Sequence, residues 1–164
     1  MVPLVTAGSL QNPRSLMQDE IEVGITNADL AYFAVNGLPP YTDKLALRSL
    51  GVLHPSVLQM VTLADSPLNT FEDIRGKRVA VGPANGGTLA FLEVLLREHD
   101  MTIDDISSNY LSYTDGFSQL ADGNVDASFG LIGVPGAAIS QLRASEEIKF
   151  LDIDESIMST ILEK

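Results

Sequence analysis

The 164-residue chain contains no cysteine. That removes thiolate catalysis, disulfide bridges and zinc–sulfur sites together. Basic residues are scarce: 10 Lys and Arg stand against 22 Asp and Glu, for a formal net charge of −12. So acidic a surface repels phosphate backbones and anionic lipid headgroups, which argues against nucleic-acid and peripheral-membrane roles. No apolar run reaches the roughly 18 residues that a membrane span needs. Met1–Val5 lacks the basic start and long apolar core of a signal peptide. Catalytic signatures are missing as well: there is no Gly-x-x-x-x-Gly-Lys-Ser/Thr, Gly-x-Gly-x-x-Gly, Gly-x-Ser-x-Gly or His-Glu-x-x-His. His54 and His99 have no neighbouring serine and carboxylate to suggest a triad. His99 is expected on the surface at a helix C-terminus. His54, before Pro55, either sits in a solvated turn or faces a cleft. Asp19, Glu20, Glu22, Asp104 and Asp105 read as solvated turns and caps. Nothing favours a catalytic residue, a metal or a cofactor.

What is present is a globular composition, with 45% hydrophobic residues, and one telling stretch. Arg78–Val81 reads as a buried strand, Gly82–Gly87 as a tight glycine-rich loop, and Leu89–His99 as an amphipathic helix. That order leaves free N–H groups at the helix start, where the helix dipole also favours a carboxylate or phosphate. Thr88 reads as the N-cap or a first-turn hydroxyl, and Asn85 offers an amide. The competing reading is a turn that needs glycine only for its backbone angles.

Strands and helices alternate along the rest of the chain. Leu4–Thr6, Ile21–Ile25, Val57–Leu63, Asn109–Tyr113, Val125–Leu131 and Ile148–Ile153 read as strands. Helices are expected after Asn12-Pro13, over 30–35, from Asp115 to Leu120, over 134–144 and over 155–162, with a capped turn at Thr70–Ile74. Leu45–Leu53 is either strand or short helix. The pattern predicts α/β layers with a largely parallel sheet. Leu16–Gly24 echoes Leu120–Ser128, each running from a helix end through an acidic turn into a strand, which suggests two related lobes. Two further loops lie where open α/β sheets place ligands. One is Gly8-Ser9; the other holds Asn27, which either meets a ligand or stabilises its turn. Tyr32 opens the following helix, as packing or as a binding ring.

The assembled motifs resemble the TRAP-transporter solute-binding proteins of the TAXI, NMT1-like type. The resembling residues are Thr6–Ser9 with Asn12, Glu22–Tyr32, Gly76–Pro83 with Gly87-Thr88, Tyr110–Tyr113, Asp122–Phe129, and Gly133–Pro135 with Ala137-Ala138. The resemblance implies a two-lobed α/β clamshell of the type II periplasmic-binding-protein class. Its sheets would be mostly parallel and flanked by helices, with the first lobe incomplete. It implies a partial first lobe over 1–65, a crossover over 66–75, a second lobe over 76–153 and the start of a return segment over 154–164. It further implies an extracytoplasmic receptor, not an enzyme, whose signal peptide is not in this chain. Such a receptor captures a small carboxylate or amino acid, such as glutamate or a dicarboxylate, for TRAP permease subunits. Gly8, Ser9, Asn27, Tyr32, Asn85, Gly86, Gly87, Thr88 and Pro135 would then serve the ligand. Asn27 stands where the family often has Gln, and Gly86 where it often has Ser. An incomplete first-lobe sheet would invite self-association. The alternatives are an effector-sensing domain of a transcription regulator, or an enzyme on the same scaffold.

Overall fold

The computed structural model describes residues 2–155 together with Ile157 and Ser159. The helix expected over 155–162 lies largely outside the described residues. One five-stranded sheet organises the molecule. Its strands are β1 (Val57–Leu63), β2 (Arg78–Ala80), β3 (Ser107–Asn109), β4 (Ala127–Ile132) and β5 (Ile148–Phe150), in the order β3-β2-β4-β1-β5. β2 runs parallel to β3 and β4, whereas β1 is antiparallel to β4 and β5. Four strands therefore point one way and β1 the other.

Strand periodicity sends alternate side chains to opposite faces of the sheet. Met60, Val79, Val81, Ala127 and Phe129 face one cluster, filled by Leu92, Leu95 and Leu96 of α3 (Gly87–Glu98). Val61 and Ala80 face the other. That face is covered by Phe117 and Leu120 of α4 (Tyr113–Ala121) and by Ile139 and Leu142 of α5 (Ala137–Ser145). Helices thus flank both faces, the mixed α/β layering that the sequence pattern predicts. The remaining helices are α1 (Asn12–Met17) and α2 (Ala28–Asn36). Leu30, Ala34 and Tyr41 form a third, smaller cluster that reaches Ala90 of α3.

The expected strands at 4–6, 21–25 and 45–53 do not pair with anything: among the described residues, 2–56 contain no strand. A strand exists only through its partners, and here local groups take the hydrogen bonds instead. The Asn12 amide donates to Ile25 O at 2.6 Å, and the Thr6 hydroxyl donates to Asn12 Oδ1 at 2.6 Å. Asn12 is therefore not the N-cap of its helix, a place taken by Gln11, but a buried staple between two extended segments. Val57–Leu63 is a strand as expected. It lies within the stretch 1–65 expected to form the partial first lobe and pairs in the middle of the sheet with β4 and β5.

The echo between Leu16–Gly24 and Leu120–Ser128 has a structural counterpart. Asp19 (φ 56°) and Gly123 (φ 70°) are both left-handed residues closing a helix. Glu20 N–H donates to Ser15 O at 3.0 Å, and Asn124 N–H to Gln119 O at 2.9 Å. The second copy then enters β4, while the first enters an unpaired segment.

His99 departs from the expected surface position. Its side chain is 2% exposed, its Nδ1 lies 2.6 Å from Glu72 Oε1, and its ring lies 4.6 Å from that of Phe71. The reason is the turn at 71–74, whose expected capping box of Thr70 and Asp73 is formed and brings Phe71 and Glu72 under the end of α3. Burial disfavours the Glu72 charge. Hydrogen bonds from its backbone, from Thr70 and from His99 outweigh that and hold the carboxyl below the usual range. Asp73, Asp105 and Asp126 are held low as well, by the Thr70 and Asn69 backbone, the Thr102 backbone, and Arg78 respectively. Arg78 reaches Asp126 Oδ1 at 2.6 Å and ties β2 to the start of β4. Carboxylates depressed in the folded state contribute stability above their unfolded pKa of about 4 and lose it as pH falls through the lower folded value. Urea unfolding is therefore expected to give a flat midpoint from pH 7 to about 5 and a fall below about 4. In Asp126→Asn that acid-side fall should be smaller. A midpoint that rises on acidification would contradict this.

Candidate functional site

α3, α4 and α5 each follow a parallel strand, so their N-termini gather at one edge of the sheet, the edge where such folds place ligands. Gly86 is the N-cap of α3, and the first intrahelical bond is Ala90 N–H to Gly86 O at 3.4 Å. The amides of Gly87, Thr88 and Leu89 precede it.

The loops singled out in the sequence meet at this helix start. Gly8, at φ 109°, lies against Gly86: a Cβ on Gly8 would stand 3.8 Å from the Gly86 Cα. Leu10 N–H donates to Asn85 O at 3.3 Å, which ties the Gly8-Ser9 loop to the glycine loop. A Cβ on Gly87 would overlap the Asn27 amide and stand 3.4 Å from Ser9 Cβ. Gly8, Ser9, Asn27, Asn85, Gly86 and Gly87 thus form one constellation, with Gly86 and Gly87 buried beneath the others. Thr26 Oγ1 donates to Ser9 O at 2.7 Å and holds the covering loops together.

Thr88 is placed differently from the expectation of a ligand-facing hydroxyl. It is fully buried, in the first turn of α3 rather than at its cap. Its Oγ1 accepts from Leu131 N–H at 2.8 Å and lies 2.8 Å from Tyr113 Oη. The hydroxyl therefore joins α3, β4 and α4. Either hydroxyl of the Thr88–Tyr113 pair can donate to the other. Tyr32 lies on α2 at 60% exposure, packed edge-on to Phe33 with ring centroids 6.1 Å apart.

Pro135 lines a cavity of about 530 Å³ whose lining includes none of Gly8, Ser9, Asn27, Asn85, Gly86 and Gly87; the nearest link is the Thr88–Tyr113 hydrogen bond. The cavity is bounded by His54, Pro55, Tyr113, Thr114 and the run 132–138. The N-termini of α4 and α5 both open on it. Ser112 caps α4 through Asp115 N–H at 3.2 Å, so the helix starts at Tyr113, two residues before the expected Asp115. The expected strand at 109–113 ends at Asn109, so Tyr113 belongs to the helix and reaches the cavity. Gly136 is the N-cap of α5, and Ser140 N–H closes the first turn onto Gly136 O at 2.9 Å. His54 faces this cleft: its Nδ1 lies 3.0 Å from Pro55 O and 3.3 Å from where a Gly133 Cβ would be. Tyr113, Thr114 and the α5 amides escaped the sequence reading. The available signal was a second strand–glycine–helix junction at Ile132–Ala137.

Ala at 87 gives a direct check of the loop contact. Gly87 has an ordinary helical backbone, so Ala itself suits the position by about 0.5–1 kcal/mol. The obstacle is the far end of the Asn27 side chain, which can swing away. Gly87→Ala is expected to keep the fold but speed amide exchange across 26–30, and Asn27→Gly in the same chain should restore protection. Unchanged exchange in Gly87→Ala would mean that Asn27 does not rest on Gly87.

Among the described residues, no group of three His, Asp or Glu is placed to hold a metal ion, and no helix is long and apolar enough to cross a membrane.

Residues 3–164 match the model of the NMT1-like family. The fold is similar to that of the periplasmic aliphatic sulphonate binding protein SsuA from Escherichia coli, at 23% identity and a TM-score of 0.52. That match covers 62% of this chain and 33% of the other. It is also similar to a putative sulfonate ABC transporter's periplasmic sulfonate-binding protein SsuA from Methylobacillus flagellatus KT. There the identity is 24% and the TM-score 0.50, over 59% of this chain and 28% of the other. At such identities the likeness concerns the fold. The chain spans about a third of the length of these solved proteins.

Proposed function

The chain belongs to the NMT1-like family and has a periplasmic-binding-protein-like α/β fold, and from that premise we propose that it is a solute-binding module for a small organic anion. The observation that carries the reading is the cavity of about 530 Å³ at the carboxyl ends of the parallel strands, lined by the first residues of α4 and α5, with the first turn of α3 bonded to Tyr113 through Thr88. Its volume falls within the range of small-molecule sites, about 300–1,000 Å³. Unbonded amides and helix dipoles there favour negative charge.

In this reading the segment before β1 belongs to one lobe and the sheet to the other. Gly8, Ser9 and Asn27 come from the first, and Asn85, Gly86, Gly87 and Pro135 from the second. Thr88 acts through the position of Tyr113, and Tyr32 stands apart. The role is binding rather than catalysis, and an extracytoplasmic location fits the fold. Delivery of the solute to a TRAP-type permease is the finer proposal, supported by the motif series noted in the sequence. The net charge of −12 does not oppose an anionic ligand, because distant surface charge is screened beyond about 8–10 Å at physiological salt.

A thermal-shift screen of organic acids and amino acids on this chain tests the reading. A ligand at about a hundredfold excess over its Kd should raise Tm by about 5–10 °C. A chain that responds to no organic anion or amino acid would refute the binding role.

A further inference from the structure

Resting on the binding-protein reading above, we propose that Gln59 is a positioning residue for the cavity. From the middle of the sheet its carboxamide holds the turn at 133–136, the wall that carries Pro135. β1 is a largely buried strand, yet two of its seven residues, Gln59 and Thr62, are both polar and buried. Burying an amide or a hydroxyl is unfavourable unless it is hydrogen-bonded. Each of the two reaches a main-chain carbonyl just outside one end of β4. Thr62 Oγ1 donates to Asp126 O at 2.9 Å, ahead of the strand, and Gln59 Nε2 donates to Gly133 O at 3.4 Å, beyond it. A carbonyl only accepts, so the carboxamide must turn its nitrogen to Gly133.

The two ends of β4 are not held alike. At its start, Asp126 N–H also donates to Arg78 O at 2.7 Å, and the Asp126 carboxylate accepts from the Arg78 N–H and guanidinium. At its far end, among the described residues, the Gln59 contact is the one hydrogen bond that reaches 133–135. Packing adds little there: Val134 is 67% exposed, and Pro135 is exposed as well. Gly130 stands directly across from Gln59 and puts no side chain beside it, since opposed residues share one face of the sheet. The contact to Gly133 is long, so its worth lies in being the single tie rather than in its strength. Without it the turn keeps only the neighbouring His54 ring, and the wall from Ile132 to Ala137 can shift.

Two substitutions at this position test the role. Gln59→Met keeps the length and volume of the side chain and removes the donor, so the fold is kept and the urea midpoint should stay close to that of the unaltered chain. Order parameters from 15N relaxation should fall at Val134 and Gly136 from about 0.85 to about 0.6. Exchange of the Ser140 amide, which closes onto Gly136 O, should quicken about 2- to 10-fold. Gln59→Glu separates the hydrogen bond from side-chain shape. At pH 7 its carboxylate cannot donate, and the turn should loosen as in the methionine variant. Burial raises a carboxyl above its usual value of about 4.3, so acidification to about pH 5 protonates it. The acid O–H then donates to Gly133 O and order returns, while Gln59→Met stays loose at both pH values. Thermal shifts with glutamate and with succinate connect the turn to the site: a rise in Tm given by either should shrink in Gln59→Met. An ordered turn in Gln59→Met, or a Gln59→Glu turn that stays loose at pH 5, would overturn the tie. A ligand response undiminished in a loosened Gln59→Met would overturn its bearing on the site. If the unaltered chain answers neither these probes nor the wider screen, the binding reading falls, and the turn measurements by themselves still decide whether Gln59 holds the wall.

Discussion

Phe71→Ala is expected to cost about 3–5 kcal/mol, lowering Tm by about 6–20 °C in a chain of this size. Phe71 is fully buried, and its ring stacks 6.3 Å from Phe129 and 4.6 Å from His99. It therefore joins three parts of the molecule: the turn at 71–74, the middle of β4 and the end of α3. Its N–H also donates to Asp152 O at 2.9 Å, so the backbone is held in place while the side chain is removed. A cavity left under those conditions collapses only partly, which puts the cost at the upper end of core truncations. Domains of ordinary stability have about 5–15 kcal/mol in total, so a large share would be lost. Phe71→Leu fills much of the space and should lose less than half as much, which keeps the test readable if the alanine variant does not fold. Urea denaturation of both variants measures the difference. A loss below about 1 kcal/mol for the alanine variant would show that the cluster is not packed around this ring.

The second large effect concerns Thr88. Valine at this position has nearly the same shape but no hydroxyl. It would leave Leu131 N–H buried without an acceptor and remove the partner of Tyr113. An unsatisfied buried donor costs about 1–3 kcal/mol, or about 2–12 °C in Tm here. Thr88→Ser keeps the oxygen and should retain most of the stability. Tyr113→Phe should cost less than Thr88→Val, since Thr88 still accepts from Leu131. The two substitutions should also be non-additive, because they remove members of one hydrogen-bonded chain. Equal stability of the valine and serine variants would mean that the hydroxyl is not needed where it lies. The distinction bears on the site. A Thr88 variant that binds ligand poorly would do so by releasing Tyr113, and Tyr113→Phe should reproduce the binding loss at little cost in stability.

Much of the second half of the chain was legible in order. The strand–glycine–helix unit at 78–98 is formed, because a buried β run, a glycine loop and an amphipathic repeat are local signals that agree. The capping box at Thr70 and Asp73 is local in the same sense. That Gly8-Ser9, Asn27 and Gly86-Gly87 lie against one another was implied only by the family resemblance, since the strand-like segments before the first two are unpaired and no local pattern brings the loops together. What a local pattern does not supply is the identity of a particular neighbour. Leu4–Thr6 and Ile21–Ile25 have strand-like composition, but composition does not supply a ladder partner. Val57–Leu63 was read as a strand, yet nothing in its residues says that it runs antiparallel between β4 and β5. His99 looked exposed because nothing near it in sequence announces Phe71 and Glu72 beneath it.

The amino-acid sequence by itself determined that the chain is an acidic, cysteine-free α/β protein with a strand, a glycine-rich turn and a helix in series at 78–98, because those properties reside in composition and in residues a few positions apart. Only the tertiary structure decided that the Thr88 hydroxyl is turned inward onto Leu131 and Tyr113, that Asn27 rests on Gly87, and that the open space lies beside His54 and Pro135. Each of those depends on which distant segments come to lie against one another, and burial and hydrogen-bond partners are set by that packing rather than by any local pattern.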